Sequence, residues 1–74
     1  MATSAEIQAE TDTANTMFIW RIQSMIPNTD TDTDSHYVVG ITPPYMGKAG
    51  WINTDNTGNA AAQAAEIDAA LPLL

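Results

Sequence analysis

The sequence predicts a small α+β fold: a β-hairpin or three-stranded antiparallel meander followed by a C-terminal α-helix, with a short N-terminal helix or arm. Three observations carry this expectation. A β-branched and aromatic run lies at 16–26, a second apolar run follows the Thr/Asp segment at 36–42, and an Ala-rich stretch at 59–71 has helical spacing.

Residues 1–15 are polar and rich in Ala. Thr3 and Glu6 have the spacing of a capping box, which predicts a short helix from about Ser4. The alternation of Ala5, Ile7, Ala9, Thr11 and Thr13 with more polar residues also fits an extended arm, so this segment is separated from a single domain over 16–74.

From Thr16 to Ile26, enrichment in Ile, Phe and Trp predicts the first strand. Phe18, Trp20, Ile22 and Ile26 would share one face, with Met17, Ile19, Arg21, Gln23 and Met25 on the other. Pro27, having no N–H to donate to a ladder, should stop it. The second strand, about 36–42, sets Tyr37, Val39 and Ile41 against His36, Val38 and Gly40. The connection Pro27–Ser35 makes a long hairpin loop with Asp30, Asp32 and Asp34 at its tip. Thr42-Pro43-Pro44-Tyr45 should leave the ladder as polyproline II. Trp51 and Ile52 fit a short third strand at about 50–53, and 53–59 reads as loop.

The last segment is the clearest helix. Asn59 is a suitable N-cap, and Ala60, Ala64, Ile67 and Leu71 form a narrow apolar stripe, with Gln63, Glu66 and Ala70 expected to face elsewhere. Pro72 ends or kinks the helix, leaving Leu73 and Leu74 as an apolar end.

Composition bounds function by exclusion. The 74 residues hold nine Asp or Glu against Arg21 and Lys48, for a net charge of −7. Direct nucleic-acid binding lacks the clustered cations that neutralise phosphate, and an anionic membrane would repel the chain. No apolar run is long enough to cross a bilayer, and the N-terminal residues lack the pattern of a signal peptide, so a cytoplasmic origin is expected. Cysteine is absent, which removes disulfides, thiolate nucleophiles and thiolate-bound zinc. Leu, Ile, Val and Phe number only thirteen, a thin core for a chain of this charge.

The motifs point away from catalysis and cofactors. Asp30, Asp32 and Asp34 begin like an EF-hand loop, but Ser35 stands where Gly is needed and Ile41 where a bidentate Glu is needed. Asn53, Asp55, Thr57 and Gly58 fail in the same way at Ala64. The run is therefore read as a solvated acidic hairpin tip, with no metal site. His36, the one histidine, has no nucleophile elbow and no second His beside it. Pro43-Pro44-Tyr45 is one residue short of a WW-domain ligand and reads as a turn. No enzyme, cofactor or metal is expected.

The expected role is a non-enzymatic structural or interaction protein, a small accessory subunit ordered by a protein partner or by copies of itself. The candidate contact residues are Trp20, Tyr45, Trp51, Ile67, Leu71, Leu73 and Leu74. In the style of its composition, short, Ala/Thr/Asp-rich and free of cysteine, the chain resembles the accessory capsid or tail proteins of bacteriophages, which would place it in a virion. The alternative is an acidic inhibitor that mimics nucleic-acid phosphate and binds a basic enzyme.

Overall fold

The computed structural model describes residues 2–15, 19–28, 30–43, 45–55 and 59–74, with 11–15 described in the backbone only. Their order is α1 (Ser4–Asn15), β1 (Trp20–Asn28), β2 (Thr33–Gly40), β3 (Ala49–Asp55) and α2 (Ala60–Ala70), which runs into a 3-10 turn over Leu71–Leu73. The strands form one antiparallel sheet in the order β1-β2-β3, so β2 is central and the other two are edges. The α+β meander is therefore the fold of the chain, with each strand displaced from its expected bounds. Residues 16–18, where the first strand was expected to begin, lie outside the described residues, as does Pro44.

Both helix starts follow from side-chain chemistry. In α1 the Glu6 carboxylate accepts from the Thr3 N–H and hydroxyl, both at 3.0 Å, while Thr3 Oγ1 accepts from the Glu6 N–H at 3.2 Å. In α2 the Asn59 side chain accepts from the Ala62 N–H at 3.1 Å. Each satisfies donors that the first helical turn leaves without a partner. Pro72 sits in the 3-10 turn, where the α-helix has already ended.

The sheet departs from simple alternation at one point. Trp20 and Ile22 face Gly40 and Val38, but beyond a bulge between Ile22 and Ser24 the pairing shifts by one residue, so that Met25 faces His36 and Pro27 faces Asp34. An extra residue inverts every side chain after it. Met25 thus shares the face of Trp20 and Ile22, while Ile26, expected on that face, lies on the other and is 56% exposed. Nor does Pro27 stop the strand. On an edge its missing N–H points away from the ladder, so β1 continues to Asn28.

The helices cover one face of this sheet. The core comprises Ala2, Ile7, Trp20, Val38, Ile52, Ala64, Ile67 and Leu71. Ala2 and Ile7 bring the N-terminal segment into this core, with Ile7 wholly buried. Burial of such a side chain supplies about 1.5–3 kcal/mol. The loop after β2 folds tightly: the Thr42 carbonyl accepts from the Tyr45 N–H at 2.8 Å and the Tyr45 carbonyl from the Lys48 N–H at 3.0 Å. The chain turns there instead of running as polyproline II.

Candidate functional site

The covered face of the sheet holds a polar cluster within its core. The inward positions are Asp34, His36 and Val38 on β2, opposite Thr54, Ile52 and Gly50 on β3. Asp34, His36 and Gln63 are 0% exposed and Thr54 is 1% exposed. This corrects two expectations. Asp34 is not part of a solvated tip: of the three carboxylates, Asp30 and Asp32 are exposed in the turn, whereas Asp34 is the second residue of a strand that begins three residues earlier than expected. Gln63 does not face away from the core, because it lies in the stripe with Ala64 and Ile67.

Gln63 joins the cluster. Its amide nitrogen donates to Asp34 Oδ2 and to Thr54 Oγ1, each at 2.9 Å, and Thr54 Oγ1 lies 2.8 Å from His36 Nε2. Both amide protons are therefore used. Turning the amide over would aim its oxygen at the Asp34 carboxyl, which fixes its orientation. Asp34 Oδ1, His36 Nδ1 and Gln63 Oε1 have no partner among the described residues. Burial lowers the His36 pKa below its ordinary value of 6.5, opposed by the nearby Asp34 carboxyl, which raises it.

A hydroxyl at hydrogen-bond distance from an imidazole is the spacing of a nucleophile–base pair. Here Thr54 Oγ1 already receives the Gln63 amide, His36 Nδ1 lacks the orienting carboxylate contact, and all four residues are sealed from substrate. Among the described residues no group of three His, Cys, Asp or Glu could hold a metal. The cluster is a buried polar seam between sheet and helix.

Among the described residues, neither helix covers the other face of the sheet. Ser35, Tyr37 and Val39 of β2 lie beside Asn53, Trp51 and Ala49 of β3. Tyr37 and Trp51 meet edge to face with ring centroids 5.5 Å apart, and Ser35 Oγ donates to Asn53 Oδ1 at 2.6 Å. Trp51 remains 51% exposed. An aromatic pair adds roughly 0.5–1.5 kcal/mol beyond its burial, and it holds Trp51 in one orientation on an open surface.

The expected contact residues divide between inside and outside. Trp20, Ile67 and Leu71 are fully buried and belong to the core, with Trp20 Nε1 donating to Asp68 Oδ1 at 2.5 Å. They are unavailable to a partner. Tyr45 is half-buried, its backbone against Gly40, where a Cβ would stand 1.9 Å from the Tyr45 carbonyl oxygen. Trp51, Leu73 and Leu74 are exposed, Leu73 most of all at 86%. Leu74 is nonetheless held, since its carbonyl accepts from Lys48 Nζ at 2.9 Å and its side chain lies over Gly50.

Comparison with protein-family models, with curated proteins and with solved structures returns no match. None of the described helices is long and apolar enough to cross a membrane.

Proposed function

We propose that the chain is a non-enzymatic structural subunit that docks onto another protein surface through the open face of its sheet. The observation that carries this reading is the Tyr37–Trp51 pair, ordered and half-exposed on a face that neither helix covers. Aromatic side chains held on an open surface are what protein interfaces concentrate at their centres. Val39 and Ile26 extend the patch.

The absence of catalysis belongs to the same proposal. The buried cluster supports it, because its four side chains are closed off within the core. The phosphate-mimic alternative gains less, since burial of Asp34 removes one carboxyl from the surface it would need. On compositional resemblance alone, the capsid or tail of a bacteriophage is the type of assembly proposed.

Size of the native particle tests the reading. The chain recovered from its source should travel in a particle far heavier than its own 7.9 kDa. A double substitution Tyr37→Ser and Trp51→Ser should release it. A native chain that migrates as a free monomer overturns the proposal.

A further inference from the structure

The two edges of the sheet are finished differently. On the β1 edge, the Trp20 carbonyl accepts from Gln8 Nε2 at 2.7 Å and the Ile22 N–H donates to Gln8 Oε1 at 2.8 Å. The Gln8 amide stands where the backbone of a neighbouring strand would stand. Beyond it come the bulge and Pro27, which offers no N–H. Each of these devices blunts an edge against further pairing.

The β3 edge has no such finish along its middle. The Gly40 N–H donates to the Lys48 carbonyl at 2.8 Å, so by alternation Gly50, Ile52 and Thr54 exchange bonds with β2, while Ala49, Trp51, Asn53 and Asp55 direct their backbone groups outward. The Asp55 N–H is taken by the Glu66 carboxylate at 3.3 and 3.4 Å. Among the described residues, no hydrogen bond reaches the outward N–H and C=O groups of Trp51 and Asn53.

We infer that this edge is an interface whose occupant is a second copy of the chain, with β3 pairing antiparallel to its partner about a two-fold axis at Ile52. The inference rests on the structural-subunit reading and supplies one of its contacts. In this register Trp51 faces the partner's Asn53 and Asn53 the partner's Trp51, making four backbone hydrogen bonds and one continuous sheet from two sheets of three strands.

Charge selects a second copy in this orientation. Within the sheet and its turns, Asp30, Asp32 and Asp55 lie at one end, while Arg21 and Lys48 lie at the other. Antiparallel pairing sets the acidic end of each copy beside the end of its partner that carries the cations. The two Asp55 residues are then six positions apart along the seam, about 20 Å at the rise of a strand, beyond the reach of screened repulsion.

The open face gives a second reason. Trp51 and the partner's Trp51 become diagonal neighbours across the new seam, about 7–8 Å apart at the backbone, within reach of their rings. The two Tyr37–Trp51 pairs then join into one aromatic row that covers part of the half-exposed Trp51 surface.

Sedimentation equilibrium of the full chain over micromolar to millimolar concentrations, combined with amide exchange, tests this. A reversible dimer is expected, with the Trp51 and Asn53 amides protected in proportion to the dimer. Trp51→Lys should weaken association at least ~30-fold, the scale of a lost aromatic anchor. Trp20 fluorescence would report that this variant remains folded. A chain that stays monomeric throughout, or a dimer in which those two amides exchange as freely as in the monomer, overturns the inference. A monomer that still joins a heavy native particle removes the self-pairing and leaves the structural-subunit reading intact; one that joins no particle removes both.

Discussion

His36 and Thr54 meet across the seam between β2 and β3, imidazole Nε2 to hydroxyl at 2.8 Å, in the part of the core that α2 closes with Gln63. Burial there favours the neutral imidazole, against the pull of the Asp34 carboxyl.

This makes stability depend on pH in a defined direction. The His36 pKa is lowered in the fold, chiefly by burial and against the pull of Asp34, so the unfolded chain binds a proton from about pH 6.5 downward while the folded chain resists it. The contribution is complete above that value and is lost as pH falls from near 6.5 toward the lowered value. Urea midpoints at pH 7.5 and 5.5 should differ accordingly, with the lower midpoint at acid pH. In His36→Gln the part of this slope between those values should vanish. Glu6, held low by the Thr3 N–H and hydroxyl, adds a further loss as pH falls through 4.5 and the unfolded chain takes up its proton.

Removal of Gln63 should cost more than its own hydrogen bonds are worth. Gln63→Leu strips the donor from Asp34 Oδ2 and Thr54 Oγ1 and leaves both sealed, an expected loss of about 1–3 kcal/mol, and more with a charged carboxylate. Adding Asp34→Leu should recover much of it, because replacing both partners removes the stranded group. A double-mutant cycle from urea unfolding measures the coupling, and additive losses would contradict it.

The two sheet glycines beside bulky neighbours should respond unequally to Ala. At Gly40 a Cβ would lie 1.9 Å from the Tyr45 carbonyl oxygen, so the loop backbone itself must move. A loss of about 3 kcal/mol or more is expected, the upper end for overfilled sites. At Gly50 the nearest atom is a Leu74 methyl carbon at 3.1 Å, at the end of a side chain that can turn away. That substitution should cost under about 1 kcal/mol. Thermal unfolding of the two variants decides between them.

Gln8→Ala should do two things. It removes two hydrogen bonds to the β1 backbone, worth about 0.5–1.5 kcal/mol each. It also opens the second edge of the sheet, so species larger than a dimer should appear in size-exclusion chromatography on light scattering. A variant that is merely less stable, with unchanged association, would show that Gln8 does not guard the edge.

The parts of the fold legible in the sequence were those decided locally. The Thr3–Glu6 box and the Asn59 cap act within one helical turn, and both appear as read. The inner face of β2 and β3 was illegible because half of its positions are polar. Asp34, His36 and Thr54 turn inward, whereas the more apolar set of Tyr37 and Val39 lies on the open face, so hydrophobic pattern ranks the two faces in reverse. Only the arrival of Gln63 from a distant helix makes that tolerable. Helical spacing did hold a signal, since Gln63 is four residues before Ile67 and next to Ala64 on the buried stripe. Of the candidate contacts, Trp51, Leu73 and Leu74 are on the surface, while large apolar size alone could not separate them from the buried Trp20, Ile67 and Leu71.

The extra residue in β1 gives the chain a point of tolerance to change. Gln23 is exposed, and replacing its side chain alters little that the fold depends on. Its deletion would leave the pairing beyond it unchanged, since Ser24, Met25 and Ile26 would still meet Tyr37, His36 and Ser35, but it would remove the local kink from the β1 edge. Lineages of this chain should therefore drift freely in letter at position 23, and loss of that letter would straighten the edge without turning Met25 or Ile26 over.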